Sequence, residues 1–119
     1  SHHRNNSRNI ADLTKINRYH CELFAHFLDR LKSIKEGDET LLDHSMIVYG
    51  GAIGDGNRHS HHDLPVVLAG NANGTIRTGR HAVYSHETPM SNLFLNMLGI
   101  MGASAQRMGD STGQLKGLT

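Results

Sequence analysis

The chain has 119 residues, which is room for one domain with a single hydrophobic core. Its formal charge of +1, from 12 Lys and Arg against 11 Asp and Glu, argues against the basic surface that nucleic-acid binding requires, so no nucleic-acid partner is expected. The sequence also holds no apolar run of the about 18 residues that a membrane span needs, and its single cysteine excludes an intrachain disulfide framework.

The first predicted element is a long amphipathic helix over residues 10–36. Apolar residues recur every three or four positions from Ile10 to Ile34, which is the helical period. Asn9 is placed to cap the helix and Gly37 to end it. Because hydrophobic residues make up only 37% of the chain, we expect this apolar face to need cover from the remainder of a parent chain or from a second copy.

A strand-loop-strand segment is predicted over residues 41–70. The apolar runs at 46–49 and 66–69 each precede a glycine and are rich in β-formers, so both predict short strands. Continuous apolar runs are typical of strands that are buried on both faces of a sheet. Together with the preceding helix they indicate the α/β fold class.

A second helix is predicted over residues 88–101, with Thr88 as its N-cap and Pro89 at its first position. The tail at 102–119 is small and polar and lacks periodicity, so we expect it to wrap over a surface. All of these elements belong to one unit, residues 1–119.

The loop between the two predicted strands, residues 50–63, is the most unusual part of the sequence. It has 14 residues, of which four are glycine and six are ionisable. Loops of this length within compact domains are usually functional or disordered. The loop also leaves the end of a strand, where open α/β sheets place their ligands. Its glycines lack the ending of a phosphate-binding P-loop, so nucleotide binding is not expected.

Imidazole and carboxylate groups are concentrated at the end of this loop, in His59, His61, His62 and Asp63. These groups are the ligands that zinc and other divalent transition metals prefer. Because adjacent side chains of an extended chain point to opposite faces, His61 pairs more readily with His59 or Asp63 than with His62. The open alternative is a polar loop whose histidines bond to the backbone.

Two further loop residues and several distant histidines complete the candidate site. Arg58 can fork onto a phosphate, sulfate or carboxylate, and Asp55 can support the metal ligands from a second layer. A local turn or a salt bridge is equally open for this pair. Of the seven histidines outside the loop, four can converge on the same site: His2, His3, His81 and His86.

Several motifs resemble those of a known family. The chain reads TLLDHSMIVYG at 40–50 and GDGNRHSHHDLP at 54–65, and both closely resemble the C-terminal part of the bacterial family named domain of unknown function 1552. The sequences GRH at 79–81, TPMSNL at 88–93 and RMGDSTG at 107–113 are similar to that family's last motifs. The resemblance therefore covers essentially the whole chain.

This family resembles the alkaline-phosphatase and sulfatase superfamily. The resemblance implies the C-terminal portion of an alkaline-phosphatase-like sheet with flanking helices, one or two divalent metal ions, and hydrolysis of phosphate or sulfate esters. It also implies an exported protein, periplasmic or extracellular, whose nucleophile lies in an N-terminal part outside this chain.

The resemblance also suggests metal ligands in this sequence. Residues 61–63 are similar in placement to the superfamily loop that supplies a metal-binding aspartate and histidine, although the order of the two is reversed here. His2 or His3 would be an upstream metal histidine and His81 the late one. The alternatives are a non-catalytic metal- or glycan-binding module and a purely structural domain.

Overall fold

The structure is a computed structural model that describes residues 2–119. Two helices and two two-stranded antiparallel sheets make up its regular structure, so the α/β prediction is confirmed in a loose sense. In chain order the elements are α1 (Ser7–Ser33), β1 (Lys35–Glu36), β2 (Glu39–Thr40), β3 (Ile47–Gly50), β4 (Val66–Ala69) and α2 (Ser91–Ile100). Strand β1 pairs with β2, and β3 pairs with β4.

Helix α1 begins earlier than the sequence pattern predicts. The side chain of Asn6 accepts hydrogen bonds from the backbone N–H of Arg8 at 3.0 Å and of Asn9 at 3.2 Å. Asn6 is therefore the N-cap, because it satisfies two of the N–H groups that the first turn leaves free. The prediction of Asn9 as the cap is wrong, since Asn9 lies inside the helix.

The same helix ends before residue 36, the end predicted from the sequence. Ile34 is extended, with φ −88° and ψ 117°, and the next two residues form β1. Gly37 has a left-handed φ of +66° and forms the β1–β2 turn with Asp38. Glycine suits this turn because it adopts positive φ without steric cost. Gly37 is thus a hairpin residue, and the helix predicted from the periodic pattern extends beyond the end of α1 at Ser33.

No residue of α1 is buried. One firm contact is made by Phe24, whose ring stacks on that of Tyr49 in β3 with centroids 4.5 Å apart. Five apolar residues of the predicted stripe remain 42–51% exposed: Ile10, Ile16, Leu23, Phe27 and Ile34. The uncovered face is the one that the sequence analysis expected to need a partner. Among residues 2–119, neither helix combines the length and apolarity required to cross a bilayer.

Strands β3 and β4 pair from Ile47 with Ala69 to Gly50 with Val66. The expectation that both are buried is wrong, because three residues of β3 are half-buried and Val67 of β4 is 49% exposed. The strands of a two-stranded sheet have few neighbouring elements to cover them. A continuous run of apolar residues therefore does not indicate burial here.

A glycine closes the turn that follows β4. Gly70 has a left-handed φ of +84°, and a Cβ at this position would collide with the backbone carbonyl of Ser45. The backbone N–H of Ala72 donates to that carbonyl at 3.1 Å. Only a residue without a side chain allows the backbone after β4 to approach the turn before β3 this closely.

The start of α2 also differs from the prediction. The helix begins at Ser91, and Met90 at its N-cap makes no side-chain capping bond. The prediction of Thr88 as the cap is wrong, because its hydroxyl instead donates to the carbonyl of Ser85 at 2.7 Å. Residues 85–88 therefore form a separate turn before the helix.

The core lies at the C-terminal end of the chain, around α2. Its buried apolar residues come from the segment after β4, from α2 and from the tail: Ala72, Ile76, Leu93, Leu95 and Leu118. The tail at 102–119 lies against α2, as expected of a segment that covers a surface. Arg80 fastens its end by donating from Nη2 to the carbonyl of Leu118 at 2.7 Å.

Two buried asparagines of α2 hold the tail by its backbone. Asn92 accepts from the N–H of Thr112 at 2.8 Å and donates to its hydroxyl at 3.1 Å. Asn96 accepts from the N–H of Leu115 at 2.6 Å and donates to its carbonyl at 3.2 Å. A spacing of four residues places both side chains on one helix face. The polar tail is thus attached by hydrogen bonds that replace water without leaving unpaired groups.

Candidate metal-binding site

The histidine-rich loop folds as a small hairpin. Gly54 donates its N–H to the carbonyl of Ser60 at 2.9 Å, and Ser60 donates to the carbonyl of Asp55 at 3.1 Å. Inside the turn, the Asp55 carboxylate accepts from the N–H of Asn57 at 2.9 Å and of Arg58 at 3.3 Å. The bond from Asn57 is the largest of the causes that lower the pKa of Asp55.

These bonds give Asp55 and Arg58 a local role. The Arg58 Nε lies 3.7 Å from an Asp55 carboxylate oxygen, and the arginine side chain is 82% exposed. The structure therefore realises the turn and salt bridge that the sequence left open for this pair. Binding of an anion by Arg58 and a supporting role of Asp55 behind a metal remain predictions.

The N-terminal residues lie along this loop, as the expected convergence of distant histidines requires. The Nε2 atoms of His2 and His59 are 3.1 Å apart, and their rings meet edge to face at 4.6 Å. His3 Nε2 lies 3.9 Å from an Asp55 carboxylate oxygen. The backbone N–H of Arg4 donates to the Asn57 side chain at 2.8 Å. Residues 2–4 and the loop thus bring three histidines and a carboxylate to one surface.

The predicted ligand set of His59, His61 and Asp63 is not assembled. Nδ1 of His61 lies 2.6 Å from the carbonyl of Ala52, so this ring bonds to the backbone as the alternative reading proposed. His59 and Asp63 have positive φ values of 55° and 51°, and the chain therefore turns at both ends of the segment. Among residues 2–119, these three side chains form no group of ligand atoms within 4.8 Å of one another.

A different group of three ligand residues does come together in the described part of the chain. Ligand atoms of His62, His86 and Glu87 all lie within 4.8 Å of one another. Nδ1 of His62 is 3.8 Å from Glu87 Oε1, and Nδ1 of His86 is 4.0 Å from the same oxygen. The two imidazole rings stack with centroids 5.5 Å apart. We call these three residues the triad.

The turn before α2 explains why the adjacent residues His86 and Glu87 can face one metal ion. Side chains of neighbouring residues in an extended chain point to opposite sides. Glu87 instead has a left-handed φ of +61°, which breaks this alternation after His86. The N–H of Thr88 donates to the carbonyl of Ser85 at 3.2 Å and holds the turn. His86 is one of the histidines expected to converge on the site, whereas Glu87 is not predicted; the adjacent His-Glu pair in the sequence is the signal that could have indicated it.

The triad brings together nitrogen and oxygen atoms of the kind that divalent metal ions bind. Nitrogen and oxygen ligands that surround zinc tetrahedrally at about 2.0–2.1 Å stand roughly 3.3 Å apart. The separations of 3.8 and 4.0 Å between the histidines and Glu87 would have to close by a fraction of an ångström each, and the ligand atoms of the two histidines lie within 4.8 Å of each other. All three side chains are more than half exposed, at 56–68%, so little packing opposes this closure. His81, the late candidate ligand, is exposed and does not belong to the triad.

Known proteins give no independent guide to this site. No protein-family model, curated protein or solved structure matches the chain. The similarity to domain of unknown function 1552 therefore remains a prediction from the motifs at 40–65 and beyond. The chemistry of the site has to be inferred from its own ligands and their geometry.

Proposed function

We propose that this chain is the metal-binding C-terminal part of an exported, alkaline-phosphatase-like hydrolase of phosphate or sulfate esters. The observation that carries the proposal is the triad, in which two imidazoles and a carboxylate from separate loops come within 4.8 Å. Two histidines with one carboxylate are a known ligand set of catalytic zinc, which leaves a coordination position free. A bound ion of this kind supplies a Lewis acid that polarises an ester oxygen or a water molecule.

Under this proposal the chemistry of each side chain determines its role at the site. His62, His86 and Glu87 hold the ion, while the guanidinium of Arg58 neutralises charge on the substrate. His2 and His59 are a second donor pair, since their Nε2 separation of 3.1 Å is close to the edge of a tetrahedral zinc site. A nucleophile is expected from the part of the protein that the resemblance places upstream.

The exposure of the triad favours a second candidate, a metal-binding module without catalysis. Electrostatic stabilisation of a transition state is strong only where water is excluded. The triad side chains are 56–68% exposed, so this chain by itself does not provide such an environment. The hydrolase requires other parts of the protein to exclude water from the triad, whereas the metal-binding module does not.

Zinc titration by calorimetry tests the ligand assignment. We expect His62→Ala and His86→Ala to weaken binding by more than the roughly 10- to 100-fold typical of residues that only support a ligand. His26→Ala is the matched control, because His26 is an exposed histidine of α1. Unchanged binding in both triad variants, with loss in His59→Ala, would return the site to the ligand set first predicted from the loop.

Hydrolysis of an artificial phosphate or sulfate ester tests the activity. The assay uses a longer polypeptide that contains this segment, with and without His62→Ala. Turnover that requires both zinc and His62 supports the hydrolase. Zinc binding without turnover supports the non-catalytic module, and absence of zinc binding contradicts both.

A further inference from the structure

A separate group of one histidine and two glutamates lies at the β1–β2 hairpin. Nδ1 of His44 is 2.6 Å from Glu36 Oε2, and Nε2 of the same ring is 2.8 Å from Glu39 Oε2. Glu36 lies in β1 and Glu39 in β2, whereas His44 lies in the turn that leads to β3. One imidazole therefore connects both strands of the hairpin to the next part of the chain.

Both contacts can be hydrogen bonds only if the ring is protonated. A neutral imidazole carries one N–H, and its other nitrogen presents a lone pair. In that form one of the two carboxylates would face a lone pair at 2.6–2.8 Å. The imidazolium donates at both nitrogens, and each bond is strengthened by opposite charge. The geometry therefore selects the cation.

The two carboxylates that contact the ring favour the same state. In the turn before β3, Asp43 is next to His44 and accepts from the Thr40 hydroxyl at 2.6 Å. Lys35 of β1 is close enough to lower the pKa of Asp43. His44 also lines an open groove next to α2, and it is the only ionisable residue among the described residues that line this groove. The bond to Glu36, followed by the bond to Glu39, raises the pKa of His44.

The position of this cluster gives its protonation a mechanical consequence. The hairpin follows α1 directly, and the N–H of Leu41 donates to the carbonyl of Ile34 at 2.9 Å at its base. The remainder of α1 has no buried residue and is joined to β3 by the ring stack of Phe24 on Tyr49. The His44 bonds thus act together with the Leu41 bond in holding the hairpin, and with it the end of α1, against the turn that leads to β3.

We propose that His44, Glu36 and Glu39 form a pH-sensitive latch, which holds the hairpin and the end of α1 against the lead into β3 while His44 is protonated, and releases them when it is not. A raised pKa in the folded state means that the stabilisation is complete below the unfolded value of about 6.5. It is lost as the pH rises through the folded value. The latch is therefore closed at mildly acid pH, where His44 is charged and both glutamates are ionised, and open in alkali; none of its three residues belongs to the triad.

Two NMR measurements on the 119-residue chain test the latch. The first is the titration midpoint of His44, which we expect above 6.5, the value of a free imidazole. The second is the hydrogen-exchange protection factor of the Leu41 amide, corrected for intrinsic exchange. Between about pH 5.5 and 8.5, protection should fall by roughly two- to tenfold, the range that two partly exposed ion pairs allow.

Three variants separate the latch from other causes. His44→Gln should remove the pH dependence of Leu41 protection, and His26→Gln on α1 should leave it unchanged. Glu39→Gln keeps the bond to Glu36 and should lower the His44 midpoint, so it tests the idea even if His44→Gln fails to fold. A wild-type midpoint at or below 6.5, or the same pH dependence of protection in His44→Gln, would overturn the proposal.

Discussion

Removal of Asn96 is expected to release the tail from α2. The variant Asn96→Ala loses two hydrogen bonds to the backbone of Leu115, at 2.6 and 3.2 Å, inside a region where Asn96 is only 7% exposed. Each such bond contributes about 0.5–1.5 kcal/mol net, so their sum is roughly 1–3 kcal/mol. The loss stays near this sum because the tail can move into water, where the freed N–H and carbonyl regain partners.

Amide exchange measures this loss where it occurs. A cost of roughly 1–3 kcal/mol corresponds to about 5- to 150-fold faster exchange of the Leu115 amide. The Thr112 amide should accelerate less, because Asn92 still holds it. Asn17→Ala is the control, since Asn17 is exposed on α1 and loses nothing buried. If Leu115 exchange in Asn96→Ala stays within about twofold of the control, the asparagine bonds do not hold the tail.

Three further outcomes follow from the same contacts. Phe24→Ala should cost about 0.5–1.5 kcal/mol beyond lost burial, because it removes the ring stack on Tyr49, and exchange in the middle of α1 should rise while the α2 amides stay unchanged. Gly70→Ala should destabilise the chain far more than Gly74→Ala in urea unfolding; both glycines have left-handed φ, but only at Gly70 does the new Cβ meet a backbone carbonyl. The Asp43 carboxyl should titrate below 3.8 by NMR, because the hydrogen bonds that it accepts from the Thr40 hydroxyl and N–H lower its pKa. Its contribution to stability is therefore present above pH 3.8 and is lost on acidification through the folded pKa. Equal stabilities of the two alanine variants would refute the Gly70 argument, and an Asp43 midpoint at 3.8 or above would refute the Asp43 argument.

The existence of α1, β3, β4 and α2 was predictable because each depends on a local property. Spacing of apolar residues by three or four specifies a helix wherever the chain lies. The ends of α1 depend on particular hydrogen bonds, namely those that Asn6 accepts and those that pair β1 with β2. Burial of the strands was not predictable, because it is set by neighbours that a single run of residues does not encode.

The candidate site likewise combines a feature that the local sequence reveals with one that depends on distant parts of the chain. The cluster of histidines at 59–62 was visible as a local enrichment. Its assembly depends on where the chain returns about 25 residues later, since His62 meets His86 and Glu87. The backbone angle of Glu87 decides whether two adjacent side chains face one ion, and no spacing rule reports that angle. His62 and His86 were therefore accessible from the sequence as candidate residues, whereas Glu87 was not identified.

The buried core and the histidine-bearing loops occupy different parts of this chain. The most buried residues lie in the segment at 72–76, in α2 and in the tail, whereas the triad side chains are exposed. Replacing a ligand histidine therefore removes little packing and costs little stability. A protein arranged in this way can acquire, lose or exchange metal-binding side chains one mutation at a time, because its chemistry evolves separately from its folding.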